Sequence, residues 1–278
     1  MSDLGKLRYY LGIEVTQHSD GITLSQARYV SKLVEEARMG DRNSCQIPME
    51  LNVKMSRGLN EKHVGEKEYR RSIGCLRYLL LTRRDLSFVL GMLSRYMHEP
   101  RESHNVLLKQ VLQYLRGTLS YGLSYERADG MSLIGYSDSS HNADEDDGRS
   151  TTGHIFYLEK CPITWCSQKQ ETVDLSSCEA EFMAATEAAK QAIWLQDLLA
   201  EVTGSRCEKV TLRIDNKSAI ALTKNPIFHG TEQKADILTK SLGKLKYKEM
   251  RSFIGVQELN IGDFKLEVEG KNVGPSLK

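Results

Sequence analysis

The sequence predicts an α/β chain, α+β overall, and three observations predict it. An alternating start suggests a hairpin followed by a helix, the middle carries helical periodicity, and the second half reads strand, strand, strand, helix, strand, helix. Residues 7–34 open with LRYYLGIEV, turn at His18-Ser19-Asp20-Gly21, continue as ITLSQ and pass into a helical pattern through Tyr29, Leu33 and Val34. A polar, irregular stretch containing Pro48 comes next. Then EYRRSIGCLRYLLLTRRDLSFVLGMLSRYM and LLKQVLQYLRGT supply amphipathic helices across residues 68–118.

From residue 130 the pattern shortens to SLIGYSD, a polar loop with Asp144, Glu145, Asp146 and Asp147, then TTGHIFYL and CPITWCS. Three antiparallel strands are the natural reading. A long helix is expected from Ser177, a fourth strand KVTLRID ends at Asp215, and a helix KSAIALTK stops before Pro226. A length of 278 residues fits one large or two modest units, each able to bury a core.

Composition excludes several classes. With 40% hydrophobic and 27% charged residues and a net charge of +1, the chain is neither disordered nor a strongly basic nucleic-acid protein. Its cysteines, Cys45, Cys75, Cys161, Cys166, Cys178 and Cys207, form no CxxC pair, so reduced thiols are expected rather than a zinc module. Cys161 and Cys166 read as sheet residues. No apolar run reaches the ~18–20 residues of a membrane span, and the first residues do not resemble a signal peptide. The expected location is intracellular, in the cytoplasm or nucleus, with no membrane partner.

Residues 61–120 are more basic than the whole, with eleven Lys/Arg against six Asp/Glu, an excess of +5. Interleaved with Tyr69, Tyr78, Tyr96 and Tyr114, such a face suits a phosphate backbone, whose counterions cationic contacts release. Arg70, Arg71 and Lys109 are the candidate nucleic-acid contacts, and a solvated face over a core stripe is the equal alternative.

Acidic residues stand where this layout can bring them together. Asp138 ends the opening strand, where turn chemistry is the ordinary explanation. Asp215 ends the fourth strand before a helix, where capping is the ordinary explanation. On the long helix, Glu179 and Glu181 are two residues apart and point to nearly opposite sides. Ser176 and Glu179 have the spacing of a capping box. Glu181 instead heads the row Ala185, Ala188, Ala192, Leu195 and Leu199 that must pack on the sheet. Asp138, Glu181 and Asp215 are therefore expected within a few ångströms of one another, with Glu179 turned to the cap. Their mutual repulsion is best relieved by a divalent cation, Mg²⁺ being hard and oxygen-seeking. Two such ions about 3.5–4 Å apart define phosphodiester-cleaving nuclease chemistry. A structural Ca²⁺ site is the competing reading, but no EF-hand loop is present.

The segments GYSDSS, RSTTGHIFYL, ITWCSQKQETVDLSSCEAEFMAA and LRIDNKSAIALTKNPIFHG resemble, in order, the ribonuclease H domain of copia-type retrotransposon Pol polyproteins. LGIEV…GITLSQARYV…PM and YRRSIGCLRYLLLTRRDLSFVLGMLSRYM…YLRGT resemble the end of the same family's reverse transcriptase and the helical region after it. The resemblance implies a reverse-transcriptase palm-like remnant over 1–60, a thumb- or connection-like helical unit over 61–129, and a truncated ribonuclease H-like unit over 130–278. It carries the family's four carboxylates onto Asp138, Glu181, Asp215 and Asp236, the last in TEQKADILTK and expected on a final helix. The activity it implies is Mg²⁺-dependent (or Mn²⁺-dependent) cleavage of the RNA strand of RNA–DNA hybrids. The rest of the Pol polyprotein is the implied partner. Met1 falls after the family's Asp-Asp polymerase motif, so no nucleotide addition is expected.

The sequence departs from the family in places. Relatives carry a long segment, with the fifth strand, between the equivalents of FHG and TEQKAD, whereas here Gly230 abuts Thr231. Ser140 and His141 stand where Asp and Trp are common, and Arg84 where Pro is usual. Helix 217–224 runs roughly 12 Å away from Asp215, and the linker to Thr231 returns at most roughly 20 Å, so Asp236 can reach the site only tightly. An inactive transposon relic that at most binds nucleic acid is the alternative. An integrase-like nuclease is disfavoured, because its key Glu belongs on a late helix.

Overall fold

The computed structural model describes residues 5–51, 53–58, 60–128, 130–204, 209–223 and 234–259. The junction at Gly230–Thr231 and the linker before Asp236 lie outside the described residues, as does Cys207.

The expected hairpin and helix are present as β1 (Tyr9–Tyr10), β2 (Ile13–Gln17), β3 (Gly21–Ser25) and α1 (Ala27–Glu36), whose Val30 and Val34 are buried. The helical middle is α2 (Glu66–Tyr78), α3 (Ser87–Ser94) and α4 (Glu102–Arg116). Each buries an apolar stripe, including Ile73 and Leu76, Leu90 and Leu93, and Val111 and Leu115. Two strands outside the sequence expectation complete the first sheet: β4 (Tyr121–Glu126) pairs with β3, and β9 (Val256–Glu258) pairs with β4, both antiparallel. That sheet runs β1-β2-β3-β4-β9.

The second half follows the predicted order. β5 (Leu133–Ser140), β6 (Thr151–Leu158) and β7 (Cys161–Lys169) are antiparallel neighbours, α5 (Ser177–Thr203) comes next, and β8 (Val210–Arg213) adds parallel to β5 before α6 (Lys217–Thr223). The sheet order is β7-β6-β5-β8. α5 ends at Gly204, which takes a left-handed conformation with φ +71° that closes the helix at little steric cost.

Strand alternation assigns the two faces of this sheet. Leu133 and Phe156 pack with Ala188, Ala192 and Leu195 of α5. Tyr136, Ile155 and Tyr157 join the opposite, larger core formed by α1–α4 and α7 (Lys244–Phe253). One continuous core thus runs from the helices to both sheets. Cys45, Cys75, Cys161, Cys166 and Cys178 are free thiols, with Cys161 and Cys166 in β7 as expected. No helix among the described residues is long and apolar enough to cross a membrane.

Candidate metal centre

β5 positions the first candidate ligand. Because Tyr136 faces the larger core, Asp138, two residues on, shares that face. It lies inside the strand rather than in a turn and is only 2% exposed. Thr239 Oγ1 donates to Asp138 Oδ2, and Lys240 Nζ lies 3.6 Å from the same oxygen.

α5 separates its two glutamates as helix geometry requires. Ser176 caps the helix, its Oγ accepting from the Glu179 N–H at 3.2 Å. Glu179 turns back and accepts from the Leu175 N–H at 2.7 Å, one residue before the expected capping-box partner. Glu181 points to the sheet, where its Oε1 accepts from the Ser139 N–H at 3.1 Å. Its Oε2 is buried and meets no donor among the described residues. Gln170 fixes this helix start to the sheet, its Nε2 donating to Thr152 Oγ1 and to the Ala180 carbonyl, both at 3.0 Å.

Asp215 lies just after β8 and is exposed. The capping role open to it in the sequence belongs to its neighbour: Asn216 Oδ1 accepts from the N–H groups of Ser218 and Ala219, each at 3.0 Å. Asp215 is thereby left to the cluster. Oxygens of Asp138, Glu181 and Asp215 all lie within 4.8 Å of one another.

The electrostatics are those of crowded carboxylates. Burial, with Asp138 and Asp215 adding their charges, pushes the Glu181 carboxyl up to about 8. Burial likewise pushes Asp138 up to about 6, Lys240 and Thr239 opposing while Asp236 and Asp215 add to it. An all-oxygen donor set, carrying excess negative charge and one buried oxygen without a donor, fits a hard divalent cation such as Mg²⁺.

The fourth predicted carboxylate departs from expectation. Asp236 opens a single 3-10 turn, Asp236–Leu238, rather than lying on the final helix, and it is outside the group of three. α7 begins only at Lys244. The turn is nonetheless firmly seated. Ala235, Ile237, Leu238 and Thr239 are buried, and a Cβ at Gly153 would come within 2.5 Å of Thr239 Cγ2, so β6 admits the turn only because residue 153 is glycine. Lys234 Nζ lies over the Tyr157 ring, 4.5 Å from its centroid, and also faces Tyr136 and Phe253. Lys240 Nζ then reaches Asp236 Oδ1 at 3.0 Å. Thr239 and Lys240 were not among the residues singled out from sequence. A hydroxyl and an exposed lysine after ADIL carry no pattern of their own.

The candidate nucleic-acid residues each have an acidic neighbour. Arg70 pairs with Glu66 and donates to the Met97 carbonyl, Arg71 pairs with Glu36 at 3.3 Å, and Lys109 stands 3.9 Å from Glu102. All are exposed pairs of small net worth, so the cations stay available to a stronger anion.

Residues 1–51 match the family model described as reverse transcriptase (RNA-dependent DNA polymerase). The retrovirus-related Pol polyprotein from transposon RE1 of Arabidopsis thaliana is 34% identical over 284 residues, covering 92% of this chain and 19% of that protein. An uncharacterized mitochondrial protein of the same plant is 34% identical over 70% of this chain and 80% of its own length. The chain belongs to the copia-type retrotransposon Pol polyprotein family. Another member, the retrovirus-related Pol polyprotein from transposon TNT 1-94 of Nicotiana tabacum, is 32% identical over 85% of this chain and 18% of its own length. The chain therefore spans under a fifth of the curated Pol polyproteins RE1 and TNT 1-94. Its relatives support a transposon-related role.

Proposed function

We propose that this chain carries a ribonuclease H-type site hydrolysing the RNA strand of RNA–DNA hybrids during reverse transcription, on a four-stranded ribonuclease H-like sheet. The observation that carries the reading is the convergence of Asp138, Glu181 and Asp215, from a strand, a helix and a strand end, to within 4.8 Å. A divalent cation bound there supplies charge neutralisation at the scissile phosphate and activation of the attacking water. Asp138 and Glu181 are the fixed, buried side of the site, and exposed Asp215 is the side open to the phosphodiester. Thr239 and the Ser139 N–H orient the Asp138 and Glu181 carboxylates before any substrate arrives. The proposed partners are the hybrid itself and the remainder of a Pol polyprotein.

The test is cleavage of a labelled hybrid by the full chain with Mg²⁺ or Mn²⁺, beside Asp138→Asn. Metal-dependent cleavage of the RNA strand, lost in the variant, supports the reading. Cleavage that survives the substitution assigns it to another site or another nuclease. A second reading, a hybrid-binding chain without catalysis, is favoured by the engagement of Asp236 with Lys240 outside the group of three. Hybrid binding with no cleavage at any metal concentration would select it.

A further inference from the structure

We propose that the Lys240 ammonium is a built-in counter-cation of this centre, standing between Asp138 and Asp236 where a second divalent ion would have to bind. The chain then holds one divalent ion and resists another until Lys240 swings out. The inference rests on reading Asp138, Glu181 and Asp215 as a metal centre.

Backbone geometry places this ammonium. The carbonyl of Asp236 accepts from the N–H groups of both Thr239 and Lys240, each at 3.2 Å, so Lys240 returns one turn later over the Asp236 side chain. From there its Nζ spans Asp236 Oδ1 at 3.0 Å and Asp138 Oδ2 at 3.6 Å. One positive charge thus bridges Asp138, a buried carboxylate of the three-residue group, and Asp236 outside that group. Burial works against the ammonium, but Asp138 and Asp236 outweigh it and hold Lys240 above its ordinary value, fully charged.

The two carboxylates and the lysine differ in freedom. Asp138 is locked in β5 by the donation from Thr239 and has 2% of its side chain exposed, whereas Lys240 has 45% exposed on a flexible aliphatic stem. Lys240 can leave for solvent, and Asp138 cannot move with it. Glu181 Oε2 is buried with no donor among the described residues, the ion pairs of Lys240 being with Asp138 and Asp236, and it keeps its need for a cation. A single ion among Asp138, Glu181 and Asp215 is therefore compatible with Lys240 in place, and an ion shared by Asp138 and Asp236 is not.

The experiment is a Mn²⁺ titration of the full chain, counting bound ions by the loss of the free-ion electron paramagnetic resonance signal, with Lys240→Met, Lys240→Gln and Lys240→Arg alongside. Expected are one ion on the wild type and on Lys240→Arg, and a second on Lys240→Met and Lys240→Gln that binds at least about tenfold tighter than any second ion on the wild type, as removal of a neighbouring positive charge requires. Melting of each variant in chelator with and without Mn²⁺ checks folding and reports the same affinity change through ligand-linked stabilisation. Equal stoichiometry and affinities within about twofold between wild type and the neutral variants would overturn the counter-cation role while leaving the metal centre standing. Lys240→Arg behaving like Lys240→Met would overturn it too, because charge would then not be the cause. No ion on any form would remove the metal centre and this inference with it.

Discussion

Arg83 and Asp85 form a bidentate pair in the interior, the guanidinium Nε and Nη2 donating to Asp85 Oδ1 and Oδ2 at 3.1 and 2.9 Å with both side chains no more than 1% exposed. Tyr114 OH also donates to Asp85 Oδ2, at 2.6 Å, and Tyr247 of α7 donates to the Asp85 carbonyl at 2.7 Å. Arg251 of α7 closes the network on Tyr114 and Tyr121. The pair thus stitches α7 to the helical core that backs the carboxylate site.

Breaking one side of it strands a buried charge. Asp85→Asn is expected to cost about 3–5 kcal/mol, because Arg83 loses its counter-charge where water cannot replace it. Denaturant unfolding measures this. A loss below about 1 kcal/mol would mean that the Thr118 carbonyl and Oγ1, which accept from Arg83 at 3.0 and 2.9 Å, satisfy it with the neighbouring tyrosine rings.

Arg84, next in the chain, presents the opposite case. It is fully buried, stacked 4.1 Å from the Trp165 ring centroid, and donates from Nη1 to the Pro162 carbonyl, while Nε and Nη2 have no acceptor among the described residues. Burial pulls its pKa down. Arg84→Met keeps the packing against Trp165 and removes the poorly satisfied charge, so it is expected to stabilise the chain by about 1 kcal/mol or more. A melting temperature lower than that of the wild type would show that the stacking on Trp165 outweighs the burial of charge.

These two arginines mark where sequence reading stops. Strands β5 to β8, with α5 and α6, were legible because alternation, the Ser176–Glu179 cap and the alanine row of α5 are local signals. β4 and β9 were not, since YGLSYE and VQE are short and their partners lie far along the chain, where only tertiary pairing makes them strands. Asp138, Glu181 and Asp215 could be chosen from topology. Lys240 could not, because its meaning comes from a contact with Asp138 more than a hundred residues away. Arg84 was visible as a departure from the family, but its burial was not.

If the basic helical face binds hybrid, affinity should fall steeply with salt, because each phosphate neutralised releases counterions. Replacing Arg70, Arg71 and Lys109 together by glutamine should weaken binding to all sequences alike and flatten the plot of log affinity against log salt by about one for each phosphate no longer neutralised. Affinity indifferent to salt, or a triple variant with the wild-type slope, would remove these residues from the interface.

The last prediction separates the two glutamates of α5 by pH. In the folded, metal-free chain Glu181 holds its proton up to about 8, whereas its ordinary value is 4.5. Between pH 6.5 and 8 the folded state therefore binds more protons at this site than the unfolded one, so stability must fall as pH rises. Asp138, pushed only to about 6, has largely completed its own change below this window. His154, pushed by burial down to about 4, is neutral in the folded chain, and its unfolded counterpart, with an ordinary value of 6.5, opposes the decline only at the lower edge of the window. In chelator, then, the melting temperature should decline from pH 6.5 to 8, and Glu181→Gln should flatten the decline, with a gain at pH 8 on the order of a few kcal/mol. Mg²⁺ should abolish the decline in the wild type by stabilising the ionised carboxylate, and should do little for the variant. Glu179→Ala should do the reverse: it removes the hydrogen bond to Leu175 at the helix start, costs about 0.5–1 kcal/mol at every pH, and leaves the pH slope and the Mg²⁺ response intact. A pH slope that tracks Glu179 instead would show that the wrong glutamate has been placed beside Asp138.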